Sequence, residues 1–495
     1  MTHPVIWSRR ELLRSFAAAT GLPALNAAAA TRRRVGIIGG GMAGAALAWL
    51  LDAERDVVLL EARHSIGGNV QSVDVDLLGR SCVVDMGAQY FHPGPYPLYT
   101  ALLTALGLYA GPGGMSDAHS FPASITVTAD TDPSLRFVSP VLPQRAWPLL
   151  AEWNRAGTAA FAVAFSAAKR REEAGESWAV TLEDWLPTLG LSREQWEGML
   201  LPWAASLFSG DIAQARGLSA RAAMIFAAKA LPANPLDPTM YYVLRHGMVQ
   251  VLQRLIEQTS TVSVLTAAPV LQVARAPQGQ FVIRCLDGRT LYVDDLVLAA
   301  SGPASLRLLG GLPGMDVQRA ALRGLEFHPA ALALHLDPLY APADARLWSF
   351  LNCHIEGSFC EASMSMAAVL PDLPPFTAAQ IWKSWITHRT RRPSLVLREA
   401  VFNHMLPTPA TLFAQSVLRG LQGRGGVWFA GGYTFPYDAQ ETALASHCRW
   451  RSAWQAHRRG RARSHRLKPR SPAVSEHPAD PTLPGEAMPR RRAGR

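Results

Sequence analysis

The sequence predicts an α/β fold, a parallel sheet with a second, α+β portion interleaved, and three observations predict it. The run "RVGIIGG", Arg34 to Gly40, is a short apolar strand ending in glycine. "MAGAALAWLLDAE", from Met42, has helical spacing with small residues at its start. A second apolar run, "DVVLLE", closes on Glu61, 22 residues after Gly39. Strand, tight turn, helix, strand and terminal acid together form one βαβ unit.

Each part of that unit has a physical task. Gly39 makes the tight turn, Gly41 lets backbone approach a pyrophosphate, and Gly44 allows helix to pack closely on strand. The N–H groups of Met42 and Ala43 open the helix, where free donors and the macrodipole favour phosphate. Glu61 is placed to accept hydrogen bonds from ribose hydroxyls. A Rossmann-type dinucleotide-binding domain is the expectation.

The residues that follow specify the dinucleotide. "LLEARHSIGGNVQS" resembles the segment after the second strand in the flavin amine oxidase family: Ala62, Arg63, Gly67 and Gly68 match, and Asn69 stands where that family usually has Arg. "VVDMGAQYFHP" resembles the segment that passes the isoalloxazine ring, with Asp85, Gly87, Ala88 and Gln89 in register. "VSVLTAAPVLQVARAPQGQFVIRCLDGRTLYVDDLVLAAS" is similar to the family's returning hairpin region and puts Val270 where backbone meets adenine. "GVWFAGGYTFPYDAQETALASHCRW" resembles the closing flavin motif. There Gly431 matches, Gln440, Glu441 and Thr442 open the helix at the ring, and Gly432 replaces the usual Glu. The resemblance implies non-covalent FAD, because Cys448 lies beyond the loop expected to carry a covalent link.

The order of these blocks implies a discontinuous FAD-binding domain over 33–120, 240–300 and 415–455, and a substrate-binding domain over 121–239 and 301–414. The first insert reads as helical, with Thr181 a plausible N-cap. Its aromatic and Met stripe (Trp153, Trp185, Trp196, Trp203, Phe208, Met224, Phe226) reads as core before it reads as pocket. The second insert alternates in "LALHLDPL" and "ASMSMAAVL", as strands do.

Composition narrows the function classes. Of 495 residues 49% are hydrophobic and 17% charged, enough for a sizeable core. The net charge of +10 is concentrated at the ends: the last 47 residues carry +10 and the first 34 carry +5, leaving the body at −5. That distribution argues against a nucleic-acid partner. No apolar run reaches the roughly 18 to 20 residues of a transmembrane helix. Five scattered cysteines without a CxxC pair suggest neither a metal site nor a disulfide framework, although a Cys353–Cys360 bridge would suit an exported protein.

Ser8-Arg9-Arg10-Glu11-Leu12-Leu13-Arg14 resembles the bacterial twin-arginine signal, and an Ala-rich stretch with an A-x-A site follows. Residues 1–30 are thus expected to be a signal peptide read by the twin-arginine export machinery, giving a periplasmic or exported protein, with a cytoplasmic one as the alternative. That route carries folded proteins, which reconciles export with a tightly bound cofactor. Residues 456–495 read as a disordered basic tail.

For the chemistry, the resemblance implies an FAD-dependent oxidoreductase that passes hydride from an amine, amino acid or similar small substrate to FAD, with oxygen or a quinone as later acceptor. The family commonly places a Lys opposite the flavin. Here the matching strand, "LEFHPAALALHLD", has none, and Pro329 and Ala330 occupy that place; the lysines are Lys169, Lys229, Lys383 and Lys468. His328 and His335 are the polar groups on that strand, with His328 the catalytic candidate, and Tyr433 is the candidate for an aromatic facing the ring, with Phe435 and Tyr437 as alternatives. Two other readings stay open: a desaturase- or isomerase-like flavoprotein acting on a hydrophobic C–C bond, and a non-catalytic FAD-binding protein.

Overall fold

Arg34–Ile38 is the central strand of a five-stranded sheet, pairing in parallel with Asp56–Leu60 on one side and Asp295–Leu298 on the other. Ser263–Leu265 and Val427–Phe429 complete the edges, so the order runs 263–265, 56–60, 34–38, 295–298, 427–429. Strands of such a sheet are covered on both faces and read as unbroken apolar runs. Here that holds for "VGII", "VVLL", "LVL" and "VWF", all buried. Three widely separated stretches of chain therefore build one sheet. The computed structural model describes residues 32–446 apart from 78–79, 115, 131–136, 140–151, 234–236 and 371–380. The expected signal segment, the basic tail and Cys448 lie outside the described residues.

A three-stranded antiparallel sheet (Val270–Arg275, Phe281–Cys285, Thr290–Val293) covers one side, with the Asp287-Gly288 turn between its last two strands. Helices Met42–Leu51 and Val249–Glu257 cover the other and share a core with Leu59, Val297 and Trp428.

The second layer is a seven-stranded mixed sheet in the order Val396–Met405, Phe327–His335, Trp382–Trp385, Phe359–Ser365, Leu351–Glu356, Ile125–Ala129, Phe137–Val138. Helices Glu152–Glu173 and Leu201–Phe208 pack on it through Phe161, Ala164 and Trp203. Thr181 caps its helix, its hydroxyl accepting from the Asp184 N–H at 3.1 Å in a capping box. Trp185, Trp203 and Met224 are buried core residues. "SARAAMIFAAKAL" does not form one helix: it breaks at Met224 into Ala220–Ala223 and Ile225–Ala230. Cys353 and Cys360 lie on paired strands but not opposite one another, since Cys353 faces Ala362, and both are free buried thiols.

Among the described residues no helix is long and apolar enough to cross a membrane, and no His/Cys/Asp/Glu group could hold a metal ion.

Candidate active site

The turn after Arg34–Ile38 is shaped by two glycines. Gly39 has φ +117°, a region L side chains rarely adopt, and a Cβ on Gly44 would lie 1.9 Å from the Gly39 carbonyl oxygen. Gly41 then enters helix Met42–Leu51 without a side-chain cap, and no acid sits in the first turn. The first amides of that helix, at Met42, Ala43 and Gly44, are left to an outside anion. The Gly67–Gly68 turn lies against them: Gly67 N–H donates to Gly40 O at 2.9 Å, and Gly41 bridges to Gly67. Two glycine backbones thus face each other where a pyrophosphate needs room.

Glu61 is 7% exposed, and its carboxylate is aimed by two backbone donors, Gly40 N at 2.8 Å and Arg63 N at 2.9 Å. Each oxygen keeps lone-pair capacity for a ribose hydroxyl. The Arg63 guanidinium donates to Gly68 O at 2.6 Å and braces the turn. Ala267 and Ala268 donate to the carbonyls of Arg63 and Glu61 at 2.7 and 2.9 Å, which brings the chain leading to Val270 alongside Glu61 and Ala62.

Asn69 joins this turn to the next segment, its carbonyl accepting from Ala88 N–H at 2.9 Å beside Gly87. Gln89 is buried, yet among the described residues its Oε1 has no partner and its Nε2 reaches only Met366 Sδ, at 3.3 Å. At the far end of the chain Gly431 follows strand Val427–Phe429 and donates to Ser446 Oγ at 3.1 Å. Residues 440–446 are helical, with Gln440, Glu441 and Thr442 buried. Among the described residues Gln440 Nε2 likewise reaches only a sulfur, Met248 Sδ at 3.1 Å. Uncapped helix amides, facing glycine backbones, an aimed carboxylate and two under-used buried amides form a donor and acceptor set that fits FAD.

Glu441 has a second task that sequence did not suggest. Its Oε2 accepts from Tyr99 N–H at 2.9 Å, capping helix Pro97–Ala105, which has no side-chain cap of its own. Burial pushes its carboxyl up to about 7.

Four phenols converge beside these segments. Tyr90 follows Gln89, Tyr96 precedes the 97–105 helix, Tyr241 lies on Met240–Leu244, and Tyr437 lies just ahead of the 440–446 helix. Tyr90 packs edge-on against Tyr241 and Phe350, each at 5.4 Å between ring centroids. Tyr96 stacks on Phe226 at 5.6 Å, and Phe226 meets Tyr437 edge-on at 5.4 Å. Burial first, and then the neighbouring hydroxyls of Tyr241, Tyr90 and Tyr437, push Tyr96 far above its ordinary value. Burial pushes Tyr90 up to about 12. Among the described residues none of the four hydroxyls has a hydrogen-bond partner, and three of the tyrosines are half-buried. Tyr433 is elsewhere: its hydroxyl donates to Leu298 O at 2.8 Å, inside the core at the ends of the parallel strands. The aromatic that joins the phenol group is Tyr437.

The strand read as lacking a lysine has one next to it. Lys383, on Trp382–Trp385, pairs across from Leu334, is 2% exposed, and donates through Nζ to Asp85 O at 2.9 Å. Burial pulls the amine down towards neutrality and pushes the Asp85 carboxyl up, which the Ser72 hydroxyl and Met248 N–H partly reverse. His328 sits opposite His404 on the neighbouring strand, stacks on His388 at 5.5 Å, and keeps a buried Nε2 without a partner among the described residues. Lys383, His404 and Tyr241 carried no sequence signal, because strand register rather than local spacing brings them in.

A family model for flavin-containing amine oxidoreductases matches residues 42–334, more than half of the chain. Putrescine oxidase bound to putrescine superposes with a TM-score of 0.56 at 16% identity, covering 86% of this chain and 99% of that one. A fatty acid isomerase from P. acnes that produces CLA gives 0.57 at 13%, covering 85% and 98%. An Exiguobacterium protein assigned as a protoporphyrinogen oxidase gives 0.54 at 14%, covering 85% and 97%. These likenesses show a shared fold, a mixed α/β architecture around a parallel sheet. The chain belongs to the flavin-containing amine oxidoreductase family and is an FAD-dependent oxidoreductase.

Proposed function

We propose that this enzyme oxidises a primary or secondary amine at the carbon beside nitrogen, with oxygen or a quinone as final electron acceptor. The observation that carries this reading is the convergence of Tyr90, Tyr96, Tyr241 and Tyr437 beside the 85–89 and 440–442 segments. Electron-rich ring faces attract a cation, and unpaired phenols can hold its N–H groups. FAD, when bound, supplies the two-electron acceptor. The protein's own contribution is placement: Gly41, Gly67 and Glu61 hold the cofactor's backbone-facing side, while the phenol group orients and dries the substrate.

The test is an anaerobic titration of the purified yellow protein with a panel of amines, amino acids and polyenes. Bleaching of the flavin by an amine supports the reading, and bleaching by a polyene with no response to any amine replaces it with C–C bond chemistry. Ala330 and Phe402, an apolar cross-strand pair beside Gly87, are what favour that second reading. Export belongs to the same proposal. Arg9→Lys with Arg10→Lys should leave the protein in the cytoplasmic fraction, and an unchanged distribution would remove the twin-arginine assignment.

A further inference from the structure

His404 and Asp438 stand on two elements that reach the cofactor segments, and nothing above uses either. His404 lies on strand Val396–Met405, between the rings of Phe208 (centroids 6.1 Å apart) and Trp385 (5.9 Å). Its Nδ1 is 2.9 Å from Phe208 O. A carbonyl can only accept, so Nδ1 carries the hydrogen, and Nε2 keeps its lone pair in the neutral ring. The same strand face leads to the cofactor segment: two residues earlier, Phe402 Cε1 lies 3.0 Å from where a Cβ on Gly87 would stand.

Asp438 comes from the loop between Gly431 and the 440–446 helix. Its carboxylate fills the space beside Gly432, where a Cβ would fall 2.1 Å from Oδ1. Only glycine at 432 leaves room for it, so the position that lacks the expected Glu side chain is the one a carboxylate enters from six residues on. That carboxylate accepts no hydrogen bond among the described residues. Burial pushes it up, and the His404 imidazole is the charge partner that pulls it back.

Amine oxidation supplies the need for such a pair. Hydride leaves carbon readily only when the neighbouring nitrogen has a lone pair, and an amine arrives at neutral pH as an ammonium without one. We propose that Asp438 receives the substrate's ammonium and that His404 Nε2 takes one proton from it, leaving the neutral amine and an imidazolium. The balance is one N–H bond broken and one formed, with no electron transferred. Among the described residues His328 faces His404 across the strand pair, and His388 and Asp211 lie beside His328.

The inference rests on the amine-oxidising reading, and two measurements on the FAD-loaded protein separate them. Benzyltrimethylammonium, which can be neither deprotonated nor oxidised at nitrogen, is titrated against the flavin absorbance, with neopentylbenzene as its uncharged isostere. Asp438→Asn should weaken the cation about tenfold and leave the isostere unchanged. His404→Gln should slow flavin reduction by the active amine about a hundredfold at pH 7 and approach wild type at high pH, where the amine arrives neutral. An Asp438→Asn protein that binds the cation as wild type does, a wild type that does not bind it, or a His404→Gln protein with an unshifted rate profile would each overturn the proposal. If no amine reduces the wild-type flavin, the functional reading fails instead, while the cation titration still decides the role of Asp438. Flavin content and thermal midpoint of each variant show that it has folded.

Discussion

Lys383 and Asp85 join the seven-stranded sheet to strand Arg80–Asp85: the Lys383 amino group donates to the Asp85 carbonyl at 2.9 Å, and the Asp85 carboxylate accepts from Met248 N–H at 3.0 Å. The contact ties the seven-stranded sheet to the segment that leads into Gly87–Gln89. Lys383→Met should cost about 3 kcal/mol, because it leaves a buried carboxylate without its counter-charge. Asp85→Asn with Lys383→Met should cost less than the two single changes together. Urea unfolding of the four proteins checks both, and strict additivity would show that the two groups do not interact.

Glu441 makes stability depend on pH. Its carboxyl titrates at about 7 in the folded protein against an ordinary 4.5, so folding favours the protonated form. The stabilisation is complete below pH 4.5 and is lost as pH rises through 7, a change of about 3 kcal/mol. Glu441→Gln keeps an oxygen for the Tyr99 amide and removes the ionisation. Relative to wild type it should gain in thermal midpoint at pH 8 over pH 5, and an equal difference at both pH values would refute the assignment.

The phenol group predicts a selective effect on substrate. Tyr96→Phe and Tyr241→Phe keep the rings and remove hydroxyls that have no partner among the described residues. Each should raise KM for the amine about three- to tenfold, the worth of one hydrogen bond, without lowering the thermal midpoint. A drop in stability with unchanged KM would mark the hydroxyls as structural.

Gly44 tests the cofactor turn. An added methyl would collide with the Gly39 carbonyl, so Gly44→Ala must move helix Met42–Leu51 off its strand. The expected outcome is loss of bound flavin and about 3 kcal/mol of stability, read from the absorbance ratio of the purified protein and from its melt.

What could be read in the sequence divides along physical lines. The Gly39–Gly44 turn and Glu61 were legible because their requirements are local: a positive φ, a close helix approach and an acid at a strand end. The phenol group was not, since Tyr90, Tyr96, Tyr241 and Tyr437 come from four separate segments and acquire a common purpose only by packing. Lys383 was hidden for a related reason. The strand expected to carry a lysine has none, and its neighbour in space is about fifty residues away in the chain. Glu441 was found at its place but not in its full role, because a helix opening at one end of the chain gives no hint of which distant helix its side chain will cap. The Met224 break escaped notice too, as an Ala-rich run has no local reason to stop.

The outermost strand of the cofactor sheet, Val427–Phe429, sets a timetable for the molecule's birth. Its partner strand ends at Leu298, whose carbonyl accepts from both Ala430 N–H and the Tyr433 hydroxyl. Until those residues leave the ribosome, the glycine turn synthesised some 390 residues earlier waits beside a parallel strand with a bare edge. Flavin capture is therefore a late event in biosynthesis, and a ribosome stalled before residue 427 should hold a chain that is aggregation-prone and colourless.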